Sequence, residues 1–166
     1  MCSSDLDSDG GSHSHSSESD PSYDAVVHAT QTTPQPTAAD AIAAATHAIA
    51  YTVKLAAIVC YTATGSTAMR VTRGRPALPI IGLTPVEATA RQLSLVWGIQ
   101  TVLMGDPQNL SDMVRKACRI AFDEGFATAG GGLLITAGVP LGTPGATNMI
   151  RIAFVDKDGA PMAETV

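Results

Sequence analysis

A short loop of small hydroxyl residues is the part of the sequence best suited to bind a ligand. It reads TATGSTA and places the hydroxyls of Thr62, Thr64, Ser66 and Thr67 around a single glycine, Gly65. The loop lies between an apolar run and a helical pattern, so the free N–H groups of a helix N-terminus would join the hydroxyls. That combination suits a phosphate or another anion. The same residues would also serve as a helix cap closed by a glycine turn, and the local sequence leaves both interpretations open.

Other chemistries have less support. The loop has neither the Gly-Lys-Ser/Thr of a P-loop nor the GxGxxG of a dinucleotide site. No base accompanies Ser66, because His47 falls on the preceding helix and His28 before it, so no nucleophilic triad is expected. No predicted strand ends in paired carboxylates, so no metal-assisted catalysis is expected. The SHSH at residues 12–15 is interpreted as solvated chain rather than a metal site.

Three arginines follow the loop, at Arg70, Arg73 and Arg75. They would either reinforce anion binding or form a solvated helix face, and the behaviour of charge runs favours the solvated face. The AGGG at residues 129–132 precedes a strand rather than a helix, and is interpreted as a flexible turn.

Alternating helices and strands must position these residues. The pattern predicts helices at 37–54, 69–73, 84–98 and 109–124, and strands at 55–61, 78–83, 99–104, 133–136 and 147–155. Helix caps are predicted at Thr37, at Thr84 with Pro85 and Glu87 following, and at Gly74. The alternation indicates a three-layer α/β domain with a five-stranded, mostly parallel sheet. The last connection is too short for a helical crossover, so the last strand is expected to be antiparallel.

Ligands in such sheets lie outside the carboxyl ends of the strands, which draws attention to the loops at 62–67 and 137–146. The expected organisation is a disordered acidic and Ser-rich tail at 1–20, a linker at 21–36, the α/β domain at 37–155 and a second tail at 156–166.

Composition limits the class of protein. The chain has 166 residues and a mass of 17.0 kDa, with 45% hydrophobic residues, which suits one domain with a core. No apolar run approaches the roughly 20 residues that cross a bilayer, and the N-terminus does not resemble a secretory signal. The first 24 residues hold six of the 15 acids and neither Lys nor Arg, so the net charge of −5 belongs to the tail. No basic stripe indicates nucleic-acid binding.

The cysteines indicate a cytoplasmic protein. There are three, Cys2, Cys60 and Cys118, with no CxxC spacing. Cys60 falls in an apolar run and Cys118 in a helical pattern, so both are expected to be small buried hydrophobes.

Two longer segments resemble a known family. They are LAAIVCYTATGSTAMRVTRGRPALPIIGLTPVEATARQLSLVWGIQTVL and ITAGVPLGTPGATNMIRIAFV. Together they resemble the C-terminal domain of pyruvate kinase, a glycolytic enzyme that converts phosphoenolpyruvate and ADP to pyruvate and ATP, and the likeness is greatest to bacterial forms. The resemblance covers about residues 36–155. It implies a domain remote from the active site, with an allosteric effector site and one subunit interface of a homotetramer.

The resemblance also assigns a site. One loop of the family would bind the effector phosphate and another would close over the effector. The matching residues here are Thr62, Ala63, Thr64, Gly65, Ser66 and Thr67 for the first loop, and Gly142, Thr143 and Gly145 for the second.

The resemblance has consequences for the ligand and for catalysis. Glu124 stands where forms responsive to fructose 1,6-bisphosphate have an arginine, and a carboxylate there would repel a second phosphate. A sugar monophosphate or AMP is therefore expected, and a free-standing phosphometabolite-binding module is the alternative function. The family's catalytic residues, with Mg²⁺ and K⁺, lie in a barrel that this sequence does not match, so no cofactor and no turnover are expected for this chain alone. The apolar last strand is expected to favour self-association.

Overall fold

The computed structural model describes residues 35–143 and 146–163, in which four helices and five strands alternate along the chain. The helices are α1 (Ala38–Thr52), α2 (Ser66–Arg73), α3 (Glu87–Leu93) and α4 (Leu110–Asp123). The strands are β1 (Ala57–Tyr61), β2 (Ile80–Thr84), β3 (Ile99–Leu103), β4 (Gly132–Ala137) and β5 (Met149–Phe154).

The strands form one sheet in the order β3-β2-β1-β4-β5. The pairs β1–β2, β1–β4 and β2–β3 are parallel, and β4–β5 is antiparallel. The prediction of a mostly parallel five-stranded α/β sheet with an antiparallel last strand is therefore confirmed. Strands β2 and β3 are added on one side of β1, and β4 is then added on the other side. The order in which strands are added therefore reverses between β3 and β4.

Helices cover both faces of the sheet. Along β1, Val59 and Tyr61 face α4, whereas Ile58 and Cys60 face α1, α2 and α3. Strands β1, β2 and β4 are buried along their whole length, which explains why their sequences are continuous apolar runs rather than alternating ones. Cys60 and Cys118 are buried as expected.

Side chains cap the starts of two helices, and the cap at Thr37 was predicted. The Thr37 hydroxyl accepts the N–H of Asp40 at 3.2 Å, and the Asn109 side chain accepts the N–H of Asp112 at 2.9 Å. The Asp112 carboxylate in turn accepts the N–H of Gln108, and this bond, with Lys116 and Arg115 beside it, lowers the pKa of Asp112 to about 2. Side chains thus satisfy backbone donors at both helix starts.

The predicted Thr84 cap is wrong. Thr84 is the last residue of β2, and its carbonyl accepts the N–H of Met104, so its backbone belongs to the sheet. Helix α3 begins at Glu87 and ends at Leu93, earlier than the expected end near residue 98. The Thr84 hydroxyl instead accepts the N–H of Val86, the residue that caps α3.

The predicted C-cap at Gly74 is confirmed. Gly74 ends α2 with a φ of −81°, and the residue with positive φ is Arg75 at 44°. A Cβ at position 74 would lie 2.2 Å from Nε2 of His47. The imidazole of His47 on α1 therefore packs directly against the backbone of Gly74, and a side chain at position 74 would have to displace it.

The ends of the described chain add two findings. Residues 156–163, assigned to a tail from sequence, turn back on β5: Val155 bridges Pro161, and the N–H of Met162 donates to the carbonyl of Phe154. The proposed tail at 1–20 and most of the linker lie outside the described residues. None of the described helices is both long and apolar enough to cross a membrane.

Candidate functional site

A cleft opens where the sheet reverses its strand order. Its floor lies at the carboxyl ends of the neighbouring strands β1 and β4, the position at which open α/β sheets bind ligands. The cleft is small in this structure, with a volume of about 20 Å³. The residues that line it are Tyr61, Thr62, Ala63, Thr64, Ser66, Thr67, Gly138, Gly142, Thr143, Ala146 and Thr147. The two loops that the sequence indicated therefore meet at one site.

The first wall is the loop between β1 and α2. The Thr62 hydroxyl accepts the N–H of Gly65 at 2.9 Å, and the Thr89 hydroxyl donates to the carbonyl of Ala63 at 2.8 Å. Gly65 has φ +83°, a left-handed conformation that L side chains rarely adopt. The loop is thus held in one shape from both ends, so its polar groups are positioned before a ligand arrives.

The start of α2 offers hydrogen-bond donors to the cleft. The first intrahelical bond runs from the N–H of Met69 to the carbonyl of Gly65. The N–H groups of Ser66, Thr67 and Ala68 accordingly make no hydrogen bond to any residue that the structure describes. Free N–H groups at a helix N-terminus carry partial positive charge and bind anions.

Two hydroxyls stand beside these N–H groups. The Thr64 hydroxyl donates to the Ser66 hydroxyl at 3.2 Å; Thr64 is exposed and Ser66 is half-buried. Because Ser66 receives this bond, its own proton is available to a ligand oxygen. Donors from the backbone and from side chains therefore converge on one part of the cleft.

The second wall is the loop that joins β4 to β5. The Asn148 side chain accepts the N–H of Val139 at 2.8 Å and donates to its carbonyl at 2.6 Å, closing the base of the loop. Gly138 lies so near the returning chain that a Cβ there would be 2.1 Å from the carbonyl oxygen of Ala146. Gly142 and Thr143 line the cleft as predicted, whereas Gly145 lies outside the described residues.

Tyr61 and Asp106 close the side of the cleft towards α4. The Tyr61 hydroxyl donates to the Asp106 carboxylate at 3.3 Å. Burial, followed by the charge of Asp106 and this hydrogen bond, raises the pKa of Tyr61 to about 12. The pair places a neutral phenol and a negative carboxylate next to the cleft.

The arginines after the loop do not line the cleft. Arg70 forms an ion pair with Asp40 of α1 at 2.9 Å, and the Arg75 guanidinium lies 5.3 Å from the centre of the Trp97 ring. No Lys or Arg lines the cleft among the described residues. An anion there would rely on hydroxyls and N–H groups.

Glu124 lies at the amino ends of the parallel strands, opposite to the cleft. It caps the C-terminal end of α4, and the chain from there leads to the first residue of β4, whereas the cleft is at the last. Six strand residues, about 20 Å, separate the two ends. The prediction that Glu124 repels a second phosphate is wrong. A helix that returns from β3 to β4 must run opposite to both strands, so its C-terminal end lies far from the cleft.

Four lining residues were not among the predicted site residues: Tyr61, Gly138, Ala146 and Thr147. The general position of Gly138 could be inferred, because ligands lie outside the carboxyl ends of the strands and Gly138 directly follows β4. Thr147 was assigned to the last strand from its apolar neighbours, yet β5 begins two residues later. No sequence signal distinguishes a strand's first residue from the last residue of the loop before it.

The resemblance raised the question of a metal. Among the described residues, no three His, Cys, Asp or Glu side chains lie close enough together to hold an ion. Cys60 is also unsuited to chemistry, because burial raises the pKa of its thiol to about 12.

Comparisons with known proteins agree with this fold. Residues 40–153 match the family described as "Pyruvate kinase, alpha/beta domain". The chain is 44% identical over 146 residues to the pyruvate kinase of Methylorubrum extorquens and 36% identical over 130 residues to that of Agrobacterium vitis. These alignments cover 88% and 78% of this chain. A crystal structure of a pyruvate kinase from Cryptosporidium parvum superimposes with a TM-score of 0.68 at 24% identity over 81% of this chain, which supports the fold.

The matched relatives are much longer. The chain spans 30% of the Methylorubrum enzyme, 27% of the Agrobacterium enzyme and 26% of the Cryptosporidium chain. What is shared is one domain, and the family match covers nearly all of the sheet described above. The chain therefore belongs to the pyruvate kinase family, of which it carries the alpha/beta C-terminal domain.

Proposed function

We propose that this chain is the regulatory domain of a pyruvate kinase and that its cleft binds a phosphorylated small-molecule effector. The phosphate would lie against the start of α2, among the N–H groups of Ser66 and Thr67 and the hydroxyls of Thr64 and Ser66. The rest of the ligand would extend across the end of the sheet towards the β4–β5 loop. A cytoplasmic location is part of this proposal and rests on the free thiols of Cys60 and Cys118.

One observation carries the proposal. The unpaired N–H groups of an eight-residue helix open into a cleft at the reversal point of the sheet, and hydroxyl side chains line that cleft. A capping role alone would leave these donors facing solvent with no opposing wall. Here a second loop faces them across the cleft, so the anion-binding interpretation of TATGSTA is favoured over the purely structural one.

The ligand class follows from charge. The described lining has no cationic side chain. A second phosphate would add negative charge to the cleft without a counter-charge in that lining. A monophosphate, such as a sugar monophosphate or AMP, therefore fits better than fructose 1,6-bisphosphate.

Removing the hydroxyls of Thr64 and Ser66 should weaken binding. Thr64→Ala combined with Ser66→Ala should raise the Kd for ribose 5-phosphate about tenfold, since hydrogen bonds to a charged group contribute about 1.5–3 kcal/mol each and water recovers part of that loss. The measurement is isothermal titration calorimetry, with glucose 6-phosphate, ribose 5-phosphate and AMP as probes. Thr64 is exposed, Ser66 is half-buried and neither belongs to the core, so the fold should survive.

Thr52→Ala is the matched control. Thr52 is an exposed threonine of α1 whose hydroxyl donates to the carbonyl of Ala48, and it does not line the cleft. Its removal should leave the Kd unchanged. Absence of binding by the unaltered chain at millimolar ligand would refute the effector site, and an unchanged Kd in the double variant would place the site elsewhere.

A free-standing phosphometabolite-binding module is the second candidate function. It uses the same cleft and differs only in what the domain regulates. The coding DNA upstream of Met1 separates the two candidates. An in-frame barrel sequence there would identify the chain as part of a full-length kinase.

We also propose that the chain associates with a second copy through β5. This strand is at one edge of the sheet, and the carbonyl of Phe154 already faces away from β4, where it accepts the N–H of Met162. By alternation, the backbone groups of Ile150 and Ile152 face the same side. They have no partner strand there among the described residues, and an unpaired edge favours pairing with another chain.

Light scattering tests this association. The expected mass at high concentration is twice that of the chain. Phe154→Lys should reduce it towards one chain, because a lysine on an edge strand opposes pairing. The matched control is Leu103→Lys on the opposite edge strand β3, where the exposed leucine is not part of the proposed contact. A monomer at all concentrations would contradict the proposal.

A further inference from the structure

Thr147 joins the two walls of the cleft. Its Oγ1 lies 2.6 Å from Oγ1 of Thr67, although 80 residues separate them in sequence. Thr67 is the second residue of α2, and Thr147 is the second residue before β5. Among the described residues this is the one hydrogen bond between the start of α2 and the β4–β5 loop.

The other hydrogen bonds of that loop are internal or return to the end of β4. Asn148 bonds to Val139 and donates its N–H to the carbonyl of Ala137, and the N–H of Thr143 donates to the carbonyl of Pro140. Leu141 packs against the core on the α4 side of the sheet. None of these contacts reaches α2, whereas the Thr67–Thr147 bond does.

Burial makes the Thr67–Thr147 hydrogen bond costly to break. Thr67 is 5% exposed and Thr147 is 4% exposed, so neither hydroxyl can replace its partner with bulk water. A buried hydroxyl that loses its partner is costly. In the pair one hydroxyl donates and the other accepts, and the accepting hydroxyl keeps its own proton for another acceptor. Both residues line the cleft, so that proton is available to a ligand oxygen.

We propose that Thr147 is a positioning residue of the effector cleft: through Thr67 it fixes the β4–β5 loop against the anion-binding start of α2. The proposal rests on the proposed function and assigns a residue to that same site. Thr147 acts by holding the second wall in place, so that the ligand meets both walls without first having to order them.

The test compares two substitutions at position 147. Thr147→Val keeps the shape and removes the hydroxyl, whereas Thr147→Ser keeps the hydroxyl. Titration calorimetry with ribose 5-phosphate should give a Kd about tenfold higher for the valine variant. The serine variant should remain within about twofold of the unaltered chain, since a serine hydroxyl offers the same donor and acceptors. Thr128→Val, an exposed threonine away from the cleft, should have no effect.

The outcomes are distinguishable. If the unaltered chain does not bind ribose 5-phosphate, glucose 6-phosphate or AMP, the proposed function fails and this inference fails with it. If the unaltered chain binds and the valine variant binds equally well, the inference alone is overturned, even where urea denaturation shows reduced stability. Equal loss in the serine and valine variants would likewise overturn it, because the hydroxyl would then not be the cause.

A measurement on the unaltered chain covers the case in which the valine variant does not fold. Deuterium exchange of the peptide containing residues 138–148 should slow when ribose 5-phosphate binds, because the ligand adds contacts to a wall already fixed on α2. Unchanged exchange in this peptide at saturating ligand would overturn the inference.

Discussion

Gly138→Ala is expected to raise the Kd of the cleft for ribose 5-phosphate at least about tenfold. A Cβ at this position would lie 2.1 Å from the carbonyl oxygen and 2.8 Å from the carbonyl carbon of Ala146. These are backbone atoms, so no change of rotamer can relieve the clash. The β4–β5 loop must move as a whole, and the second wall of the cleft moves with it.

Gly105→Ala provides the control for that substitution. Gly105 follows β3, at the carboxyl ends of the strands as Gly138 does. Its φ is not positive, and a Cβ there would meet no atom within 4 Å. Calorimetric titration should therefore give the same Kd as for the unaltered chain. A Gly138→Ala variant that binds as tightly as Gly105→Ala would show that the loop does not form part of the site.

Leu134→Ala is expected to lower the free energy of unfolding by about 2–5 kcal/mol. Leu134 is fully buried in β4, and it pairs with Ile58 on one side and Ile152 on the other. Its removal would leave a cavity in the core between the sheet and the helices α1 and α2. The loss is large against a total stability of about 5–15 kcal/mol for a domain.

Urea denaturation measures this loss, and Leu95→Ala is the matched control. Leu95 is 88% exposed in the turn after α3. Its truncation should change the free energy of unfolding by less than about 0.5 kcal/mol. Equal effects of the two leucine substitutions would mean that Leu134 is not in a packed core.

The fold could be predicted because its determinants are local or depend on short connections. The apolar runs around Ile58, Ile81 and Ile135 indicate strands buried on both faces, and the cap at Thr37 indicates where the first helix begins. The short last connection indicates an antiparallel strand. The errors fell at element ends, as at Thr84, whose hydroxyl resembles a cap although its backbone completes the β2 ladder with β3.

The candidate site could be predicted only in part. The first wall, Thr62 to Thr67, is continuous in sequence and was recognisable from its residue types. The roles of Arg70, Arg75 and Glu124 were not, because each depends on which distant residue the fold brings near. Arg70 forms an ion pair with Asp40, and Arg75 lies over the ring of Trp97. Glu124 lies at the end of the strands opposite to the cleft.

The sequence by itself determined the family, the α/β alternation and the hydroxyl loop that begins α2. Only the tertiary structure decided that β4 inserts beside β1 and opposes that loop with Gly138 and Thr147. The physical reason is that hydrophobic periodicity, caps and turn residues act over a few positions along the chain. Strand order instead results from packing between elements that are far apart in sequence, and the 2.6 Å contact between Thr67 and Thr147 exists only once that order is fixed.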